Sequence, residues 1–277
     1  MLQQTQRERV APKYRAFMLR FPDLAALARA SAADVIREWA GLGYNSRALR
    51  LHQAARRIMN EPGGCIPPAL GRLRELPGVG EYTARAILCF GFNQPVACVD
   101  TNVRRVLRRI FDGRSEAPSA SSADNALAER VLVRGRAADW NAALMDLGAL
   151  VCRARAPSCG HCPVSSWCAA RPRLASEDSA PRKVAEASAT YGAKPRRAHS
   201  QAPFAASDRF LRGRIVDVLR RLPDGEALPL ADLALLASGM ALPPQTERVA
   251  RLADRLVRIG LIEGIATGGE TRFRLPA

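Results

Sequence analysis

The sequence predicts a mainly α protein, a helical bundle followed by a small winged-helix-like module. Three observations lead there. From Met1 to about Ala170, apolar residues recur at three- and four-residue spacing, as in Val35, Trp39 and Leu42 or Leu51, Ala54, Ala55 and Ile58. Strand-like alternation is nearly absent from that stretch and shows only near the C-terminus. Cap and turn residues interrupt the pattern at helix-length intervals.

Each element follows from a local signal. Breaks at Phe21-Pro22-Asp23, Glu61-Pro62-Gly63-Gly64, Pro77-Gly78 and Asp112-Gly113 end one helix and open the next, because Pro, Gly and Asp suit caps and turns. Residues 1–170 are therefore expected to form one helical domain with a cysteine-rich loop, 152–168, at its end. Residues 171–207 are rich in Ala, Ser, Pro, Arg and Lys; they cannot bury enough apolar surface to fold and read as a basic linker. Beyond it, Arg209 to Leu222, Leu230 to Ala237 and Thr246 to Ile259 pattern as amphipathic helices. Leu261 to Ile265 and Thr271 to Leu275 flank the turn Thr267-Gly268-Gly269-Glu270 as a hairpin. Helix, helix, helix, hairpin is the order of a winged helix, expected over 208–277. Such modules bind DNA or a protein partner, and the same order also serves as a packing domain.

The 277 residues suffice for two domains of ordinary size. Lys plus Arg number 42 against 26 Asp plus Glu, and the formal charge of +16 suits a polyanionic partner, nucleic acid first. Only Lys13, Lys183 and Lys194 are lysines, so an Arg-rich genome would give the same excess without a ligand. No run of about 18 apolar residues is present and the opening MLQQTQRERV has no apolar signal region, so no membrane partner and a cytoplasmic, nucleoid-associated location are expected. In that reducing compartment, clustered cysteines bind metal or catalyse and do not form disulfides.

Cys152, Cys159, Cys162 and Cys168 cluster in the pattern C-x6-C-x2-C-x5-C, short enough for one loop to aim four thiolates at a single centre. Structural zinc sites favour two CxxC or CxxH pairs with a longer span between them, so a [4Fe-4S] cluster is the better assignment. The intervening CRARAPSCGHCPVSSWC is too polar and Pro-containing to be core. Arg153 and Arg155 lie inside its first loop, where a rigid scaffold would fix their guanidinium groups for phosphate contact. Cys65, Cys89 and Cys98 lack such spacing and read as small core residues.

Between two helical patterns lies Leu76-Pro77-Gly78-Val79-Gly80-Glu81-Tyr82-Thr83-Ala84. Gly78 and Gly80 can both take positive φ and leave backbone N–H groups bare at a helix start, an arrangement suited to a DNA phosphate; a plain helix-turn-helix connection reads the same way. Twenty residues past Gly80 stands Asp100, in VDTNVRRV, after an apolar run and before a basic helix. As an N-cap it would accept from the first N–H groups, a purely structural role.

Taken in order, LPGVGEYTARAI, VDTNVRRVL and the four-cysteine row resemble the helix-hairpin-helix DNA glycosylase superfamily that includes endonuclease III and MutY. The resemblance covers residues 1 to about 170; MLQQTQ, FPDLAALA, GLGYNSRALRLHQAA and NAALMDLGALVC are specifically similar to MutY-type adenine glycosylases. It implies that Asp100 is the catalytic carboxylate, stabilising an oxocarbenium-like sugar or trapping it covalently. Where strand-cutting relatives place a Schiff-base Lys, this chain has Tyr82, whose phenol forms no imine, so a monofunctional glycosylase is implied. A Tyr also stands there in some thymine-mismatch enzymes of the superfamily. The resemblance further implies that Gln4 enters the duplex beside the extruded base, that Tyr44 wedges by the opposite base and that Asn102 supports Asp100. Without it, Tyr44 reads as a half-buried core aromatic and Gln4 as a solvated helix residue.

The resemblance has two departures. MutY-type enzymes carry a general-acid Glu two residues before the Met of MLQQTQ, and here that Met is residue 1, so an N-terminally truncated chain is expected. Many also end in a Nudix-like domain, for which Arg209 to Ala277 is too short. The expected activity is hydrolytic excision of adenine mispaired with guanine or 8-oxoguanine in double-stranded DNA, by a monomer. Thymine or uracil mismatch excision, and lesion binding by a catalytically impaired iron-sulfur protein, are the alternatives.

Overall fold

The structure is a computed structural model that describes residues 1–3, 5–114, 122–172, 174, 204–239 and 245–277. Gln4 and nearly all of the expected linker 171–207 lie outside the described residues. In chain order the helices are α1 (Arg7–Arg20), α2 (Leu24–Arg29), α3 (Ala32–Glu38), α4 (Ser46–Met59), α5 (Leu70–Arg74), α6 (Glu81–Ala86), α7 (Thr101–Leu107), α8 (Ser122–Arg130), α9 (Ala137–Asp146), α10 (Asp208–Leu219), α11 (Leu230–Ser238) and α12 (Thr246–Arg258). Helices α6, α7 and α9 each run on into a wider, π-type turn, over Ile87–Gly91, Arg108–Asp112 and Leu147–Val151. The strands are β1 (Leu228–Pro229), β2 (Glu263–Thr267) and β3 (Glu270–Arg274).

Packing divides the chain into Met1–Cys65 with Gly192–Ala277, and Ile66–Tyr191. That partition differs from the serial one read off the sequence, and the reason is a shared apolar core. In the first unit, side-chain caps set the helix starts: Asp23 accepts from Ala26 N at 2.6 Å, Ser31 from Asp34 N at 3.0 Å and Ser207 from Phe210 N at 3.2 Å. Phe17 meets Phe21 and Trp39 edge to face, with centroids 4.9 and 6.1 Å away. The same core continues through Ile215, Val216 and Leu219 of α10, Leu233 of α11, Val249 and Leu252 of α12 and Phe273 of β3. Each such side chain contributes roughly 1.5–3 kcal/mol by leaving water.

Polar clasps reinforce the join. Arg37 of α3 donates to the carbonyls of Arg220 (3.4 Å) and Leu222 (3.1 Å), and Arg220 donates back to Ile36 O at 3.0 Å and Asn45 Oδ1 at 2.8 Å. Ala33 N donates to Pro276 O at 3.0 Å. The three helices carry a sheet ordered β1-β3-β2, antiparallel throughout. Gly268 and Gly269, at φ 61° and 80°, make the two-residue turn between β2 and β3, which only positive-φ residues fit without strain. The element order over the described part of 208–277 is thus the expected three helices and a hairpin, with β1 as an added short strand.

The second unit is built around α7. Val103, Val106 and Leu107 pack with Ala97, Ala128 and Leu144, and Cys89 and Cys98 with Leu132 and Ala137. Cys89 and Cys98 are the small core residues expected; Cys65, in the first unit, is exposed, because it follows a Gly-Gly turn and its thiol donates to Gly63 O at 3.1 Å. Among the described residues no helix is long and apolar enough to cross a membrane.

Candidate active site

The segment entering α7 is held from below by Asn141 of α9, which is buried. Its Oδ1 accepts from Cys98 N at 2.7 Å, and its Nδ2 donates to Val96 O at 2.9 Å and Ala137 O at 2.8 Å. These bonds satisfy an extended stretch that has no strand partner, and so fix where the chain turns into the helix. Burial and the neighbouring Cys89 push the Cys98 thiol up to about 12, which keeps it neutral in that wall.

Asp100 then caps α7: its Oδ1 accepts from both Asn102 N (2.8 Å) and Val103 N (2.7 Å). The structural role considered in the sequence is therefore present, and both cap bonds go to one oxygen. The side chain sits half-buried at the N-terminus of α7. Asn102 meets Asp100 through its backbone N–H, a bond any residue at that position would supply. At the next layer α7 lies so close to the turn after α9 that a Cβ on Gly148 would sit 2.9 Å from Asn102 Cβ, which reserves that position for Gly.

Tyr82, in the first turn of α6, faces the same place. Burial, the Asp100 carboxylate and Cys98 raise its phenol above the ordinary 10, so at neutral pH it is an uncharged hydrogen-bond donor. Before it comes the hairpin. Gly78 has φ 81°, as expected, but Gly80 does not take positive φ; it sits at φ −87°, ψ 179°, because it is the N-cap of α6 and caps are extended. Val79 N–H is not bare either, since it donates to Leu76 O at 3.1 Å.

At its other end α7 is wired to the cysteine loop. Arg105 donates to Cys152 O at 2.9 Å and Gly148 O at 2.6 Å. Arg109, buried, donates to Cys152 Sγ at 3.3 Å, Arg153 O at 2.7 Å and Ala154 O at 3.1 Å. Cys152 ends the turn after α9, and Cys159 and Cys168 belong to two short turns, Cys159–His161 and the one following Ser165–Trp167. All four thiols are free and partly exposed, and Cys159 is raised by burial and by Cys152, Cys168 and Cys162, in that order. Among the described residues no three His, Cys, Asp or Glu groups converge on a single ion. Four thiols on one short loop are the donor set an iron-sulfur cluster takes, and Arg109 holds the loop backbone through the Arg153 and Ala154 carbonyls. Arg153 and Arg155 are exposed on it, Arg153 Nη2 donating to Ser158 Oγ at 3.2 Å.

In the other unit, Tyr44 is 44% exposed, with φ 48°. Arg47 lies 5.7 Å from its ring centroid and 5.4 Å from that of Trp39, and donates to the carbonyls of Met1 (3.0 Å), Leu42 (3.2 Å) and Gly43 (3.3 Å). It fastens the start of the chain to the Tyr44 turn. Asn141, Arg47, Arg105 and Arg109 were not singled out by sequence: one buried Asn has no motif, and three arginines are hidden in a chain with so many.

Residues 1–131 match the family described as HhH-GPD superfamily base excision DNA repair protein. The chain is 38% identical over 277 residues to the adenine DNA glycosylase of Mycolicibacterium smegmatis, covering 99% of this chain and 84% of that protein. It is 42% identical to that of Mycobacterium tuberculosis (79% and 67% covered) and 43% identical to the human one (64% and 33%). A thermostable thymine-DNA glycosylase structure superposes with TM-score 0.59 at 31% identity, over 62% of this chain and 80% of that one. An endonuclease III–DNA complex shares the fold at TM-score 0.55 and 19% identity, over 62% and 80%.

Proposed function

The chain belongs to the adenine DNA glycosylase family of helix-hairpin-helix base excision repair proteins, and from that membership we propose that its site hydrolyses the N-glycosidic bond of adenine mispaired with guanine or 8-oxoguanine. The observation that carries this reading is the pairing of Asp100 with Tyr82: a carboxylate spends one oxygen on a helix cap and stands beside a phenol that stays protonated. The extruded nucleoside lies against that carboxylate. As the C1′–N9 bond breaks, adenine leaves with the bonding electrons and takes up a proton from solvent, positive charge grows on the sugar, and the Asp100 carboxylate stabilises it. Water then adds its oxygen to C1′ and releases its proton. Tyr82 orients by hydrogen bonding and supplies no amine, so the strand stays uncut.

Duplex binding comes from the hairpin at Gly78, Val79 and Gly80, from Asn102 and the exposed Arg153 and Arg155 on phosphates, and from Tyr44 and Gln4 beside the vacated stack. Cys152, Cys159, Cys162 and Cys168 would hold a [4Fe-4S] cluster. Bound there, it would cross-link the loop and hold in place the backbone that carries Arg153 and Arg155. A monomer suffices for one site on one duplex.

The test is single-turnover excision on duplexes carrying A·8-oxoG, A·G, T·G and A·T. Adenine should be released from the first two, with strand breaks appearing only after alkali. Release of thymine from T·G in place of adenine would overturn the assignment and favour the second reading, which the likeness to the thymine-DNA glycosylase structure supports. Iron and acid-labile sulfide in the same preparation, lost in Cys162→Ser, check the cluster; zinc there would refute it.

A further inference from the structure

We propose that the C-terminal module is a second DNA-contacting arm, in which Arg209, Arg251 and Arg255 form a phosphate-binding strip for the substrate duplex, continuous with Tyr44. This rests on the reading of Tyr44 as a residue that faces the duplex. Arg209, in the first turn of α10, stacks on Tyr44 with its guanidinium carbon 4.5 Å from the ring centroid. It is exposed, so one face of its planar fork lies on the ring while its N–H donors remain available to an anion.

From there the charge runs onto α12. Its neighbour Asp208 accepts from Arg248 Nε at 2.8 Å, and that bond, together with the charges of Arg248, Arg251 and Arg255, draws the Asp208 carboxyl below its usual range. Arg248, Arg251, Arg255 and Arg258 recur at three- and four-residue steps and share one helix face, beside the buried row Val249, Leu252 and Leu256. Arg248 is occupied, donating also to Gln245 Oε1 at 2.9 Å and Ala206 O at 2.7 Å. Arg251 and Arg255 are exposed and form no ion pair of their own among the described residues.

Packing explains the buried row of α12 but not this face. Asp208 is engaged by Arg248, and Glu247 and Asp254, within one turn of Arg251, form no ion pair with it among the described residues, so the guanidinium groups of Arg251 and Arg255 stay open to an anion. A phosphate backbone passing Tyr44 supplies that anion, and the contacts would be independent of sequence, as phosphate contacts are.

The experiment measures Kd of the full chain for an A·8-oxoG duplex and for a fully paired duplex of the same length over a salt series. For Arg251→Ala/Arg255→Ala the slope of log Kd against log salt should fall by about 1.8, roughly 0.9 for each phosphate no longer neutralised, on both duplexes. Arg209→Ala should lower it by about 0.9, and the Arg251→Lys/Arg255→Lys pair should restore it. A double variant that melts like the parent and keeps the parent's slope overturns the strip, and the face then serves an acidic protein. A parent that neither binds nor excises would overturn the glycosylase reading itself; a parent that does both, with slopes unmoved by the variants, overturns the strip alone.

Discussion

Asp100→Asn should lower single-turnover adenine excision by about a thousandfold or more while leaving the protein folded. The two effects separate because the carboxylate has two duties. As the cap of α7 it accepts two N–H groups through Oδ1, and Asn caps as well as Asp, so the melting temperature should change little. What Asn cannot supply is the negative charge beside a developing cation. Asp100→Ala would lose both duties, adding about 1 kcal/mol of destabilisation to the same catalytic loss. A second readout ties the charge to its neighbour. Since the Asp100 carboxylate raises the Tyr82 phenol, Asp100→Asn should move the tyrosine titration toward 10, with burial and Cys98 still holding it above. An Asn variant that retains the rate to within tenfold would remove Asp100 from the chemistry.

Asn141→Leu should destabilise the unit Ile66–Tyr191 by about 3 kcal/mol and lower its melting temperature by about 10 °C. Leu is close in size, so packing is not the issue. The substitution strands Cys98 N–H and Val96 C=O in a buried place, each at a cost of roughly 1–3 kcal/mol. The same two groups define the segment that delivers Asp100, so excision should fall beyond what lost stability explains, when measured well below the melting point. Thermal unfolding and single-turnover rates on one preparation check both parts. A variant as stable as the parent would mean that the 96–98 segment is held by something other than Asn141.

Much of the fold was legible. Helices were read from three- and four-residue periodicity and from breaks such as Phe21-Pro22-Asp23, where Asp23 does accept a capping N–H; Ser31 and Ser207 cap as well but were not singled out. The C-terminal hairpin was read from Gly268-Gly269, which takes the positive φ values such a turn requires. The π-type turns after α6, α7 and α9 left no mark, because they shift hydrogen bonds by one residue without altering the apolar pattern. Gly80 misled for a related reason: a glycine permits positive φ without requiring it, and a cap position sets extended geometry.

By itself the sequence determined the helical class, the order of elements in the C-terminal module and the four-cysteine row, while the roles of Asp100 and Tyr82 came from the resemblance to a family. The first three are properties of spacing along the chain, which local propensity and motif record directly. Tertiary structure alone decided that the C-terminal module shares a core with α1–α4, that Asn141 supports the approach to Asp100, and that Arg209 lies on Tyr44. Those contacts join residues far apart in sequence, and each side chain involved is an ordinary Asn, Arg or Leu until burial and a partner give it a role.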